Sequence, residues 1–221
     1  MMVPLAATAI LAGCGGGGSS SNGEASKSAS AILADAKQAA LAAGSARVTG
    51  TIHDSGQTIG LDLRITTKGG GGTMTLQGSK LDIVRVGQNV YIRAPSSFYE
   101  KVGAGKAAGQ LLNGRWLKAP ASTADFAQLA SLTDMNAFVT QALKPDGTVS
   151  KGGETTIDGQ KAIQLKSSKG GSLYVAETGK PYPIEFKGGG GSSGTLTLTD
   201  WGSVTAPVAP KNAVDIGALG K

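Results

Sequence analysis

The chain reads as an α+β domain: one antiparallel β-sheet with an N-terminal helix and short central helices. Three observations predict this. Apolar and polar residues alternate with a period of two from Ser45 to Arg93, and strand-like segments return from Thr155 to Thr199. Between them lie two stretches with apolar residues three or four apart, as on one face of a helix. Ahead of them, residues 28–43 carry Ile32, Leu33, Ala36, Ala39, Ala40 and Ala43 at helical spacing.

That first helix starts where Ser28 or Ser30 caps it and stops at Gly44. Its apolar stripe is mostly alanine, which lets it approach a sheet closely. From Ser45 the period changes to two. Val48, Gly50 and Ile52 form a strand, and Asp54-Ser55-Gly56 turns the chain. Ile59, Leu61, Leu63 and Ile65 give the clearest alternation. Lys68 and Gly69 to Gly72 are expected to form a loop before the strand of Met74 and Leu76. A hairpin over 81–93 turns at Gly87-Gln88. Residues 96–114 read as helical turns broken by Gly103, Gly105 and Gly109, with a short strand at Arg115-Trp116-Leu117. Two amphipathic helices follow, 123–132 with Phe126 and Leu129, and 134–143 with Met135, Phe138 and Val139. Thr123 and Thr133 or Asp134 can cap them. The second meander runs from Thr155-Thr156-Ile157 through an Asp158-Gly159 turn to strands over 162–166, 172–176, 184–187 and 195–199. Gly188 to Gly194 is a loop, and 206–210 is extended. Nine to eleven strands are expected.

Composition narrows the function. The net charge is +6, but Lys and Arg are scattered, with no basic run and no aromatic ladder between them. That excludes a nucleic-acid partner of the stacking kind. Solvated charge and a modest attraction to anionic headgroups are both open. The single histidine, His53, is the only possible centre of a Ser-His-Asp apparatus. It lies in a strand pattern beside Asp54, and no Gly-x-Ser-x-Gly elbow occurs. The runs 69–72 and 188–191 follow lysines but do not make a phosphate loop. They read as hairpin loops or as mobile rims of a cavity mouth. No ligand cluster suggests a metal, and no cofactor is expected. The expectation is a protein that is not an enzyme.

The lone cysteine points elsewhere. Leu11-Ala12-Gly13-Cys14 ends a stretch, 5–12, that is apolar apart from one Thr. This is the apolar region and cleavage site of a secretory signal. The order resembles the lipobox of bacterial lipoproteins, where the cysteine sulfur takes a diacylglycerol after cleavage and the new N-terminus takes an acyl chain such as palmitate. A signal also wants basic residues before its apolar region, and none precedes Lys27. Basic residues upstream of Met1 are therefore expected. The apolar stretch is too short to span a bilayer, which takes about 20 residues. The chain then divides into a signal peptide 1–13, lipidated Cys14 with a flexible tether to 26, a domain over 27–206, and an extended tail 207–221. It is expected on the extracytoplasmic face of the cell membrane, held by lipid. The Gly-, Ala- and Thr-rich composition fits a GC-rich, actinobacterium-like genome.

The order of elements resembles the LppX/LprG-type bacterial lipoprotein family, within the LolA-like fold. The local matches are Asp82 to Arg93, Gly114-Arg115-Trp116-Leu117, Ser172-Leu173-Tyr174-Val175 with Gly179-Lys180-Pro181, and Leu196 to Gly202. The resemblance covers about 30–205. It implies a strongly curved antiparallel sheet, a half-barrel, closed by helices over an apolar cavity. It also implies a role in holding or carrying acylated lipids or lipoproteins. Leu61, Leu63, Ile65, Met74, Leu76, Phe126, Leu129, Phe138, Val139, Ile163 and Leu165 are the candidate cavity lining, with a filled core as their other reading. The partners so expected are the membrane, through the lipid anchor, and a lipid or acylated ligand. The alternative is an envelope scaffold or stress sensor that docks a protein partner.

Overall fold

The computed structural model describes residues 20–216. One helix, α1 (Ala29–Ala43), leads into a first meander: β1 (Ser45–Asp54), β2 (Gln57–Thr66), β3 (Gly69–Leu76), β4 (Ser79–Val86) and β5 (Asn89–Arg93). A helical hairpin, α2 (Ser96–Lys101) and α3 (Lys106–Leu112), precedes β6 (Trp116–Pro120). Then come α4 (Ala124–Leu132) and α5 (Met135–Ala142). The second meander is β7 (Val149–Ile157), β8 (Gln160–Ser167), β9 (Ser172–Ala176), β10 (Pro183–Lys187) and β11 (Ser192–Thr199). A two-residue β12 (Val214–Asp215) ends the described chain.

All twelve strands form one open sheet in the order β12-β6-β5-β4-β3-β2-β1-β11-β10-β9-β8-β7. The two meanders join where β1 pairs with β11, and every pairing is antiparallel except β12 with β6. With its helices the sheet makes the α+β half-barrel that was expected. Its wrap shows in the packing. One apolar cluster takes Ile92 and Leu117 from one end of the strand order and Leu165 and Leu173 from the other.

Register explains how that core is built. Leu198, Val48, Leu63, Gly72, Ile83, Ile92 and Leu117 stand opposite one another across seven strands. A parallel row runs Leu165, Leu173, Phe186, Leu196, Gly50, Leu61, Met74, Leu81. Alternation puts both rows on the concave face, under the helices. Helix α1 lays Ile32, Ala36 and Ala40 against this face, each fully buried. Ser28 caps it by accepting from the Ala31 N–H, and Gly44 ends it in the left-handed region, φ 68°.

Residues 69–72 are not the expected loop. They are the first half of β3, paired on both sides. The reason is steric. A β-carbon on Gly70 would stand 2.5 Å from the Thr133 carbonyl oxygen, at the α4–α5 junction. Gly70 thins the sheet under the α4–α5 junction, while Gly69, Gly71 and Gly72 lie close against the backbone of β2 and β4. The run 188–191 does connect β10 to β11, as expected of a loop. Gly109 lies inside α3 rather than breaking it.

Three further boundaries differ. Strand β7 begins at Val149, well before Thr155, because its backbone pairs with β8 on both sides of a bulge between Lys151 and Glu154. The tail returns to the sheet: Val214 stands opposite Leu117, and the Lys118 ammonium lies 2.9 Å from Asp215. At the front, Ser21 bridges Thr178 and the Asn22 amide donates to the carbonyls of Ala176 and Gly179, so the segment from Ser21 on is docked rather than free.

The glycine seat predicts a contrast between two sites. Gly70→Ala should cost on the order of 2 kcal/mol, because backbone must shift to admit the methyl. Gly153→Ala, in β7 with open space around it, should change stability by less than about 1 kcal/mol. Urea denaturation of the two variants checks this.

Candidate functional site

The strand directions define two ends of the half-barrel. One carries the β1–β2, β3–β4, β8–β9 and β10–β11 turns and the α2–α3 hairpin. The other carries the β2–β3, β4–β5, β7–β8 and β9–β10 turns, where the docked N-terminal segment enters.

At the first end the helical cover runs out. Helix α5 stops at Ala142, and Lys144-Pro145 leads the chain away toward β7. This leaves a groove of about 150 Å³ between α1, the end of α5 and the strand ends of β7 to β10. Leu33, Leu143, Val149, Leu165, Leu173 and Phe186 make its apolar lining. Leu165, Leu173 and Phe186 are consecutive members of one cross-strand row, so the lining continues the core out to the surface. Backbone at Gly170-Gly171 and the stretch Lys144-Pro145 border the opening. A volume of this size takes a benzene-sized apolar guest in other proteins. Six methylenes at ~0.8 kcal/mol each correspond to roughly 5 kcal/mol of transfer free energy. At the opposite end a shallow depression of about 360 Å³ is lined by Gly44, Ser45, Thr66, Thr67 and Lys68, with Ala43, Val204 and Ala206. It has no comparable apolar floor.

The eleven residues expected to line a cavity all meet on the concave side. Leu61, Leu63, Ile65, Met74, Phe126, Phe138, Val139, Ile163 and Leu165 are buried in one cluster, and Leu76 and Leu129 pack against it half-buried. Leu165 is the one of them that also borders the groove. Leu33, Leu143, Leu173 and Phe186 were legible as apolar positions in periodic segments. Their place at the open end depends on where α5 stops, which periodicity does not report.

His53 ends up exposed at the tip of β1, its Nδ1 2.9 Å from the Thr58 hydroxyl. Among the described residues no group of three or more His, Cys, Asp or Glu could hold a metal ion. No described helix is long and apolar enough to cross a membrane. Cys14 and the signal region lie outside the described residues.

No protein-family model and no curated protein matches the chain. Solved structures do. LprF from Mycobacterium bovis aligns with a TM-score of 0.56 at 14% identity, over 84% of this chain and 97% of that one. The Mycobacterium tuberculosis lipoprotein LppX aligns with a TM-score of 0.50 at 17% identity, over 81% of this chain and 98% of that one. The fold is of the LppX/LprG type. At such identities the likeness is one of architecture, and it spans nearly the whole of both neighbours.

The docked N-terminal segment carries an unusual electrostatic feature. Glu177 is buried beside it, and its Oε1 has no hydrogen-bond partner. Its main-chain carbonyl accepts from the Asn22 N–H at 2.8 Å. Burial pushes the Glu177 carboxyl above the usual carboxylate range, and the nearby charge of Glu154 adds to this. A carboxyl whose folded pKa is raised destabilises the folded state wherever it is ionised. That cost is fully present at neutral pH, shrinks as pH falls through the folded pKa, and vanishes below the unfolded value near 4.3. Glu177→Gln should therefore raise Tm at pH 7, with the gain fading as the buffer is taken toward pH 4. Thermal melts across that range test it.

Proposed function

We propose that this protein is a membrane-anchored, extracytoplasmic lipoprotein that binds or carries a lipid or lipidated molecule, taking an acyl chain at the open end of the half-barrel. The observation that carries the reading is the groove: an apolar floor continuous with the core, open at one end and bordered by main chain. Support comes from the lipobox-like Leu11-Ala12-Gly13-Cys14. It also comes from an architecture shared with a lipoprotein, LppX.

The volume sets a limit on what the groove does as it stands. It admits the end of a chain, about six carbons, and a longer chain must part α1 and α5 from β8 to β10 to go deeper. That motion is of the hinge-and-shear kind that packed helices permit. Binding of this sort needs volume and apolar lining, and no nucleophile. The second reading is a scaffold that docks a protein partner; the clustering of the eleven inner residues keeps it open, because a scaffold needs no void.

Two measurements separate these. The full chain carrying Cys14→Ser, purified without detergent, should retain extractable lipid by native mass spectrometry and take up a fluorescent fatty acid. Leu173→Trp, which fills the groove, should weaken that uptake about tenfold or more while leaving the fold intact by circular dichroism. A protein that neither carries lipid nor takes the probe is not a carrier. For the anchor, Cys14→Ala should release the protein from the membrane fraction or leave the signal uncut, and abolish labelling by radioactive palmitate. Unchanged membrane association and labelling would remove Cys14 from the proposal.

A further inference from the structure

The α2–α3 hairpin displays apolar side chains that the fold does not use. Among the described residues three large apolar side chains are exposed, and two of them, Val102 at 57% and Leu111 at 65%, belong to this hairpin. Ala104 and Ala107 beside them are exposed as well. The hairpin is nonetheless held firmly. Tyr99 is buried beneath it and meets Phe98 edge to face at 5.6 Å. The Asn113 side chain accepts from the Ser96 N–H at its base. The Lys101 ammonium donates to the Gln77 carbonyl at 2.7 Å, tying α2 to the β3–β4 turn. A segment fixed in this way presents Val102 and Leu111 to solvent by construction, not by fraying.

Charge says what the hairpin faces. Lys106 and Arg115 are exposed in the same segment, with Lys101 tied to the β3–β4 turn, against a single carboxylate between residues 96 and 115, Glu100. Exposed apolar side chains with cations in the same segment suit an anionic bilayer surface, where the first enter the interface and the second meet headgroups. Position adds to this. The hairpin stands at the same end of the half-barrel as the groove opening, next to the β3–β4 turn.

We propose that the α2–α3 hairpin is a second membrane contact, inserting Val102 and Leu111 into an anionic lipid surface and bringing the groove end to the bilayer. The docking surface stands on its own. Its use, passing a chain between bilayer and groove, rests on the function proposed above. The anchor is compatible with it. Residues 14–21 reach about 24 Å when extended, and residues 172–178, from the groove end to the docked Ser21, span about 20 Å. Anchor and hairpin can therefore meet one bilayer with the strands lying along it.

The test is vesicle co-sedimentation of the full chain carrying Cys14→Ser, so that the anchor plays no part. Vesicles of phosphatidylcholine with 30% phosphatidylglycerol should bind it, pure phosphatidylcholine vesicles much less, and added salt should weaken binding. Val102→Asp and Leu111→Asp should each reduce affinity for the anionic vesicles about tenfold or more, and Lys106→Ala about fivefold. These positions are exposed, so the variants should melt with the parent. Equal binding to both vesicles, or wild-type binding by both aspartate variants, overturns the proposal. So does failure to bind either vesicle, which would leave the apolar tip to a protein surface. Uptake of the fluorescent fatty acid is read in parallel. Vesicle binding without uptake keeps the docking surface and sinks the carrier reading, while uptake without vesicle binding does the reverse.

Discussion

The helices stay on the sheet because of one junction, where Thr133 and Asp134 rest on β3. Asp134 caps α5 by accepting from the Ala137 N–H at 2.8 Å, and its other oxygen accepts from Arg85 at 2.6 Å. Arg85 points inward from β4 and is only 11% exposed. An inward arginine is costly unless a carboxylate answers it, so the pair fixes where α5 starts as well as where it sits. Gly70 supplies the space for the junction, and a bridge between Thr66 and Asp134 extends the sheet into it. The direction of α5, and with it the place where the cover ends, follows from this seat. The groove exists because α5 stops before β8 to β10 do.

An open sheet of twelve strands has two edges, and both are protected. Strand β12 and the Lys118–Asp215 pair cover β6. At the other edge, β7 carries a bulge, and its Lys151 ammonium is engaged by the carbonyls of Ala25 and Lys27. The chain's two end segments therefore serve the sheet, blunting edges that would otherwise pair with other chains. The N-terminal segment is docked partly through the main-chain carbonyl of Glu177, whose carboxyl is buried and easier to bury when protonated.

Most of the architecture was legible in local pattern. The ends of α1 followed from Ser28 and Gly44, and β2 from the alternation of Ile59 to Ile65. The hairpin at Gly87-Gln88 followed from turn residues. Each of these depends on neighbours within a few positions. The failures share a different cause. Gly69 to Gly72 read as a loop because glycine is the usual residue of loops, yet here it yields to Thr133, more than sixty positions away in the chain. The start of β7 carries no alternation, since Lys151-Gly152-Gly153-Glu154 has no apolar side chain, and only its partner β8 makes it a strand. The tail was read only as extended because two residues of parallel pairing leave no periodic mark.

By itself, the amino-acid sequence determined the α+β class, the order of helices and meanders, the apolar faces and the lipobox-like cysteine, because short-range spacing and turn chemistry encode them. Tertiary structure alone decided where the helices sit on the sheet and where their cover ends. The eleven inner residues are the same whether they line a void or touch one another. Which of the two occurs depends on how closely α1, α4 and α5 approach the sheet, and that distance is set by contacts such as Thr133 on Gly70 and Asp134 on Arg85, between residues far apart along the chain.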